Sequence, residues 1–290
     1  MGGGIAQVLA AKGHEVILND VDEARIRHGI DGIAKRLDRD VEKGRMSAEQ
    51  RGRILEHIDP RAHLHDLDVQ LAIEAATERL DLKLDLFRFL DKNTSPEAVL
   101  ASNTSSISIT MLGAVTSKPD NVIGMHFMNP VPVMKLVEVI RGIATSDETF
   151  ASVRDLASSL DKTPVEVRDF PGFVANRILM PMINEAVYAL YEGVASVEAI
   201  DTVMKLGMNH PMGPLTLADF IGLDTCLAIM NVLYDGFGDS KYRPCPLLKQ
   251  YVAAGWLGKK SGRGFYDYSA AANGVAAASA ATGDKLRAGS

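Results

Sequence analysis

From residue 1 to residue 169, short apolar runs alternate with longer stretches whose apolar residues recur at helical spacing. The short runs, which we predict to be strands, lie at residues 14–19, 69–75, 99–103, 122–126 and 163–168. The longer stretches, which we predict to be helices, lie at residues 2–11, 23–44, 47–57 and 78–93. Such alternation is typical of an α/β domain in which helices cover both faces of a parallel sheet.

The pattern changes at a Phe-Pro-Gly turn, residues 170–172. Four helical stretches follow without a convincing strand between them, at residues 173–192, 196–206, 215–235 and 246–254. The segment GRGFYDY closes this region at residue 268, and the rest is mostly Ala, Gly and Ser. We therefore predict an α/β domain over 1–169, an all-α domain over 170–268 and a disordered tail over 269–290.

Composition narrows the class of protein. A chain of 290 residues that is 47% hydrophobic suits two packed domains. A net charge of −6 argues against a general nucleic-acid binder. Two cysteines, Cys226 and Cys245, show no metal-binding spacing and fit a reducing compartment. Because no apolar run reaches the length of a membrane span and no secretion signal opens the chain, we expect a cytoplasmic enzyme without a membrane or nucleic-acid partner.

The first twenty residues resemble the second half of a dinucleotide-binding βαβ unit. A helix follows Gly2, Gly13 ends it, and the next strand stops at Asp20, 18 residues after Gly2. That spacing is close to the one expected of the acid that binds the ribose hydroxyls, which would favour NAD over NADP. On spacing alone, an ordinary turn aspartate explains Asp20 equally well.

The usual beginning of such a unit is not in the chain. A complete unit has a buried first strand and a G-x-G-x-x-G loop, and Gly2 fits only the third of these glycines. We therefore expect a Rossmann-type sheet that lacks its first strand. Our hypothesis is that the start has been placed at an internal methionine and that the natural protein is longer.

Polar side chains follow several of the predicted strands. The residues concerned are Glu74, Glu78, Asn103, Ser105 and His126. In parallel α/β sheets ligands bind at the carboxyl ends of the strands. The shared position of these side chains predicts a binding site at that edge.

Residues 124–138, GMHFMNPVPVMKLVE, contain the clearest candidate for chemistry. A Pro-containing turn between two apolar runs predicts a strand pair that brings Glu138 beside His126. A carboxylate on one ring nitrogen fixes the tautomer and leaves the other nitrogen able to move a proton. The alternative is a structural histidine beside an ordinary ion pair.

A basic helix face is the second candidate. Arg36, Arg39 and Lys43 are spaced i, i+3 and i+7, so their side chains share one face of a predicted helix. This face could bind a phosphate group, although a solvated charged face is the commoner explanation.

Five ordered motifs resemble the 3-hydroxyacyl-CoA dehydrogenase family over residues 1–268. They are ASNTSS (101–106), HFMNPVPVMKLVEVI (126–140), PGFVANR (171–177), NHPMGPL (209–215) and GWLGKKSGRGFYDY (255–268). The family commonly has HFFNP where this chain has Met128, a replacement of similar volume.

The resemblance implies roles for particular residues. His126 would take the proton from the substrate 3-hydroxyl, with Glu138 orienting it, and Ser105 and Asn176 would hold the substrate oxygens. Asn129 would lie close to the nicotinamide and substrate. The NAD site would also include Gly2, Asp20, Glu78, Lys83, Ser105 and Lys260. Arg39 and Lys43 would contact the phosphates of an acyl-CoA substrate, and the helical domain would form a homodimer.

Two other functions stay open from the sequence. The same chemistry could act on a free hydroxy acid or sugar acid, in which case charge reversal at Arg39 and Lys43 would leave KM unchanged. The chain could instead be a non-catalytic binding or structural protein because its cofactor loop is incomplete, and a measurement of NADH binding separates this reading from the other two.

Overall fold

The computed structural model describes residues 1–64 and 67–269 of the chain. Contacts divide it into two compact units, with the boundary between Phe173 and Val174. The sequence placed this boundary after residue 169, at the same Pro-Gly turn. Apart from Ser269, the predicted tail lies outside the described residues.

The first unit contains the alternating strands and helices that the sequence predicts. Its helices are α1 (Gly2–Ala10), α2 (Glu23–Glu42), α3 (Ala48–Glu56), α4 (Leu80–Asn93), α5 (Ile109–Gly113) and α6 (Asp147–Ser159). Its strands are β1 (Val16–Leu18), β2 (Ile58–Pro60), β3 (Leu71–Glu74), β4 (Val99–Ser102), β5 (Val122–Phe127), β6 (Leu136–Arg141) and β7 (Thr163–Arg168). A capping box precedes α3, since the side chains of Ser47 and Gln50 accept hydrogen bonds from each other's backbone N–H groups. The sequence did not predict β2, α5 or α6.

The strands form two sheets. β1 pairs in parallel with β2, and a second sheet has the order β3-β4-β5-β6-β7. Its pairs are parallel except β5 with β6, which is antiparallel. The expectation of a parallel sheet is therefore wrong at β6. The reason is the short turn after Phe127, because a connection of this length can join only antiparallel neighbours.

Helix α1 packs against both sheets. Ile5 belongs to the core of the larger sheet, with Ile123 and Met125 of β5. Ala6 and Ala10 belong to a separate core between α1, α2 and the smaller sheet. No backbone ladder joins β1 to β3 within the described residues, so apolar packing on α1 links the two sheets.

The second unit is helical, as predicted. Its helices are α7 (Ala175–Tyr191), α8 (Val197–Gly207), α9 (Pro214–Ile221), α10 (Leu223–Phe237) and α11 (Pro246–Ala253). The single helix expected over 215–235 is wrong, because Gly222 breaks it with a φ of +104°, a backbone conformation that favours glycine. No single helix among those described is long and apolar enough to cross a membrane. Only α9 and α10 together pass that test, across a bend of 98°.

Candidate active site

The β5–β6 hairpin places His126 directly opposite Glu138. His126 Nδ1 lies 2.8 Å from Glu138 Oε2. The side chains are 10% and 3% exposed, so the pair is largely shielded from water. The predicted pairing of these two residues is confirmed.

This pair can hold a histidine ready for proton transfer. A carboxylate at Nδ1 keeps the proton on that nitrogen when the ring is neutral, which leaves Nε2 as the basic nitrogen. Within the described residues, the His126 ring makes no hydrogen bond besides that of Nδ1. The Phe173 ring lies 6.0 Å away, centroid to centroid, and limits the space beside the imidazole.

Glu78 organises the loop that follows β4. Its Oε1 accepts hydrogen bonds from the Thr104 hydroxyl, from the Ser105 and Ser106 backbone N–H groups, and from the Ser106 hydroxyl, over 2.5–3.0 Å. Burial would raise the pKa of Glu78, but these bonds and the charge of Lys83 together hold it below the ordinary value. The carboxylate thus fixes Ser105, a predicted substrate contact, at the carboxyl end of β4.

Lys83 lies in a buried ion pair. Its Nζ is 2.7 and 2.8 Å from the two Glu74 carboxylate oxygens and 3.4 Å from Glu78 Oε2. Both members of the Lys83–Glu74 pair are almost wholly buried, and the Ser102 hydroxyl also donates to Glu74, at 2.6 Å. Lys83 is therefore near the predicted site, but its ammonium group meets carboxylates rather than an open surface. Its predicted direct contact with NAD stays a prediction.

The N-terminus of α1 suits the phosphates of a dinucleotide. Its first turn contains no acidic residue and no side-chain cap, and the Gly4 N–H donates to the Met1 carbonyl, so among the described residues the Gly2 and Gly3 N–H groups are available to an anion. A Cβ on Gly4 would lie 3.0 Å from Val131, so the turn after β5 closely approaches this helix. Gly2 is half-buried in the same turn, and Asp20 is exposed just beyond β1. Asn129 is exposed beyond the end of β5. This arrangement fits NAD.

The basic face on α2 contains two available cations rather than three. Arg36 bonds the Gln7 side chain at 2.7 Å and the Gly3 carbonyl at 3.3 Å, so it belongs to the α1 contact. Arg39 and Lys43 are exposed and form no ion pair with any described residue. The hypothesis that three cations share an open face is therefore wrong for Arg36 and stays a prediction for Arg39 and Lys43.

Two predicted site residues belong to the second unit. Asn176 is half-buried in the first turn of α7. Lys260 lies in a short 3-10 turn and pairs with Asp224 at 2.5 Å.

The segment that follows Lys260 is fastened by Asp219, which the sequence did not single out. Its carboxylate accepts the N–H groups of Phe265 and Tyr266, each at 2.9 Å, and the Tyr268 hydroxyl at 3.1 Å. Burial raises the pKa of Asp219, while the two backbone bonds favour its charged form. Asp219 and the residues it binds lie more than 40 positions apart in the sequence, and only the fold brings them together. The sequence therefore gives only a weak signal for this role.

Two family models together match nearly all of the described chain. The model of the 3-hydroxyacyl-CoA dehydrogenase NAD binding domain matches residues 1–170. The model of the C-terminal domain of the same family matches residues 172–268. They meet at the Pro-Gly turn.

Individual relatives are similar over most of their length. The chain is 59% identical to a probable 3-hydroxybutyryl-CoA dehydrogenase of Bacillus subtilis, over 92% of this chain and 94% of the relative. It is 56% identical to a 3-hydroxybutyryl-CoA dehydrogenase of Bradyrhizobium diazoefficiens, over 93% of each. The crystal structure of (S)-3-hydroxybutyryl-CoA dehydrogenase PaaH1 from Ralstonia eutropha superposes with a TM-score of 0.90 at 52% identity, over 92% of this chain and 95% of that one.

Proposed function

The chain belongs to the 3-hydroxyacyl-CoA dehydrogenase family, and on that premise we propose that it interconverts a short-chain (3S)-3-hydroxyacyl-CoA and the 3-oxoacyl-CoA, using NAD. The observation that carries this proposal is the buried His126–Glu138 pair at the carboxyl end of β5. It supplies the proton-transfer group that oxidation of a secondary alcohol requires.

His126 acts as general base in the oxidation. Its Nε2 takes the proton of the 3-hydroxyl as the carbon–oxygen double bond forms, and Glu138 stabilises the resulting imidazolium through Nδ1. Bound NAD supplies the acceptor for the hydride that leaves the same carbon. In the reverse reaction the imidazolium returns the proton to the oxygen of the ketone.

Other residues bind and orient the reactants. The α1 N-terminus with Gly2 would hold the pyrophosphate, and Asp20 the adenosine ribose. Asn129 would lie near the nicotinamide, and Ser105 and Asn176 would hold the substrate oxygens. Glu78 sets the position of Ser105 through its backbone N–H. Lys260 pairs with Asp224 of α10 in the second unit, and its predicted contact with NAD stays a prediction.

The choice of a CoA thioester rests on Arg39 and Lys43. Their exposure and lack of ion pairs within the described chain leave both cations available to phosphates. Reversing both charges is expected to raise KM for the thioester and to leave kcat unchanged, since these groups bind away from the reacting carbon. Arg27→Glu combined with Lys92→Glu, at exposed positions on α2 and α4, makes the same change in net charge and is the control for that change alone. If the charge-reversed variant and the control have the same KM, Arg39 and Lys43 do not bind the phosphates of the thioester.

A homodimer through the second unit is also proposed. Several large apolar side chains of this unit are at least half exposed: Ile178, Tyr191, Val203, Leu206, Met208 and Phe220. Exposed apolar residues in this number are typical of a protein interface. Sedimentation of the purified protein tests the proposed homodimer, and a monomer would refute it.

A cytoplasmic location is proposed as well. Two free, buried thiols support it, and cell fractionation tests it.

Oxidation of NADH by the purified protein tests the activity. The proposal expects turnover with acetoacetyl-CoA and little with free acetoacetate. Equal turnover of acetoacetyl-CoA and free acetoacetate would indicate that the substrate is a free hydroxy acid rather than a CoA thioester. No turnover by folded protein that binds NADH would reject the thioester reaction.

A further inference from the structure

The carboxyl end of β5 extends past its ladder with β4. That ladder ends at the pair Ser102–Gly124, and His126 lies two residues beyond it. Pairing with β6 continues through Phe127 on the opposite side. A buried backbone N–H on the β4 side therefore needs another partner, because an unmade hydrogen bond there costs about 1–3 kcal/mol.

Asn103 supplies this partner. Its Oδ1 accepts the Phe127 N–H at 2.9 Å, while its own backbone N–H donates to the Glu74 carbonyl at 2.7 Å. Asn103 is 9% exposed and Phe127 is 2% exposed, so water does not readily replace the bond. One residue thus joins the carboxyl ends of β3, β4 and β5, at the edge that holds the site.

We propose that Asn103 is a positioning residue for His126. Glu138 orients the imidazole ring from β6, whereas Asn103 fixes, from the β4 side, the main chain that bears the ring. Its bond is made to the residue directly after His126, so its loss would let the end of β5 shift. This inference rests on the proposed dehydrogenase function, in which His126 moves the proton.

The alternative is that Asn103 contributes only to stability. Asn103→Leu removes the acceptor and keeps the number and branching of the side-chain heavy atoms. Thr145→Val is a matched control, because the Thr145 hydroxyl also anchors β5 in a buried setting but at its other end. That hydroxyl donates to the Val122 carbonyl at 2.6 Å and accepts the Gly142 N–H at 2.9 Å. Both changes remove buried bonds, but only the change at Asn103 lies beside His126.

The two explanations differ in kcat. Positioning predicts that Asn103→Leu lowers kcat by about 10²-fold, as misplaced catalytic groups do, with KM for NADH and acetoacetyl-CoA changed less than about threefold. Thr145→Val keeps kcat within about twofold of the unaltered protein, even if its melting temperature falls as much as that of Asn103→Leu. Asn103→Asp, which keeps the acceptor oxygen, recovers most of the kcat at its own pH optimum. If Asn103→Leu does not fold, Asn103→Ser, whose hydroxyl is too short to reach Phe127, carries the same prediction.

Unchanged kcat in the folded Leu or Ser variant would overturn the proposal. So would an equal loss in Thr145→Val, or an Asp variant as slow as the Leu variant. Amide hydrogen exchange of Phe127 gives a readout that does not depend on activity, and we expect faster exchange once the acceptor is removed. If the unaltered protein lacks turnover but Phe127 behaves this way, the proposed function fails and the contact stands.

Discussion

Replacing Glu138 by glutamine removes one negative charge from the His126 pair and keeps the shape of the side chain. The glutamine oxygen can still accept the Nδ1–H bond across the observed 2.8 Å. In the proposed mechanism, what is lost is the charge that stabilises the imidazolium as His126 accepts the proton from the 3-hydroxyl.

The size of the effect follows from the burial of the pair. A hydrogen bond to a charged group contributes about 1.5–3 kcal/mol and a neutral one about 0.5–1.5 kcal/mol. With Glu138 only 3% exposed, solvent screens the charge little. The difference of about 1–2 kcal/mol corresponds to a loss of about 5- to 30-fold in kcat for oxidation of 3-hydroxybutyryl-CoA.

Steady-state kinetics across pH is the assay. The loss of kcat is expected at each pH at which both proteins are folded. Glu166→Gln is the matched control, since Glu166 lies on neighbouring β7 in a weaker pair with Arg141, at 3.5 Å. A Glu138→Gln variant with unchanged kcat would refute the role assigned to the carboxylate.

Four further predictions test other parts of the structure. His126→Ala is expected to lower kcat by about 10²- to 10⁴-fold with NADH affinity nearly unchanged; retained activity would remove the histidine from the chemistry. Lys83→Met leaves its buried carboxylate partner without a counter-charge and should cost about 3–5 kcal/mol in the free energy of unfolding, measured in urea; full stability would contradict the buried pair. The pKa of Glu78 is lower in the folded protein than its ordinary value near 4.5. The charged carboxylate therefore stabilises the fold above about pH 4.5, and this contribution is lost as the pH falls through the folded pKa. Glu78→Gln should flatten this dependence of stability on pH. A Cβ on Gly264 would overlap the Asp219 carboxylate, so Gly264→Ala should lower the melting temperature, and an unchanged value would contradict that close contact.

The hairpin that brings His126 and Glu138 together was predictable because its signal is local. A Pro-containing turn and a following apolar run place Glu138 opposite His126 wherever the two runs pair. The same turn made β6 antiparallel, which alternation of strands and helices alone did not indicate.

Contacts between distant segments were not predictable. The pairing of Glu74 with Lys83 depends on how α4 packs beside β3, and the role of Asp219 depends on how the closing aromatic segment folds back. Neither has a fixed spacing in the sequence. The break at Gly222 was missed because the flanking residues are apolar on both sides of the glycine, so helical periodicity continues across it.

The most direct test of the central claim follows the hydride itself. The purified protein is given acetoacetyl-CoA and NADH that carries deuterium at the transferable position of the nicotinamide ring, and the thioester is analysed by mass spectrometry. The account predicts 3-hydroxybutyryl-CoA with one deuterium on the carbon that bears the hydroxyl. Unlabelled product, or no product from folded protein that binds NADH, would contradict it.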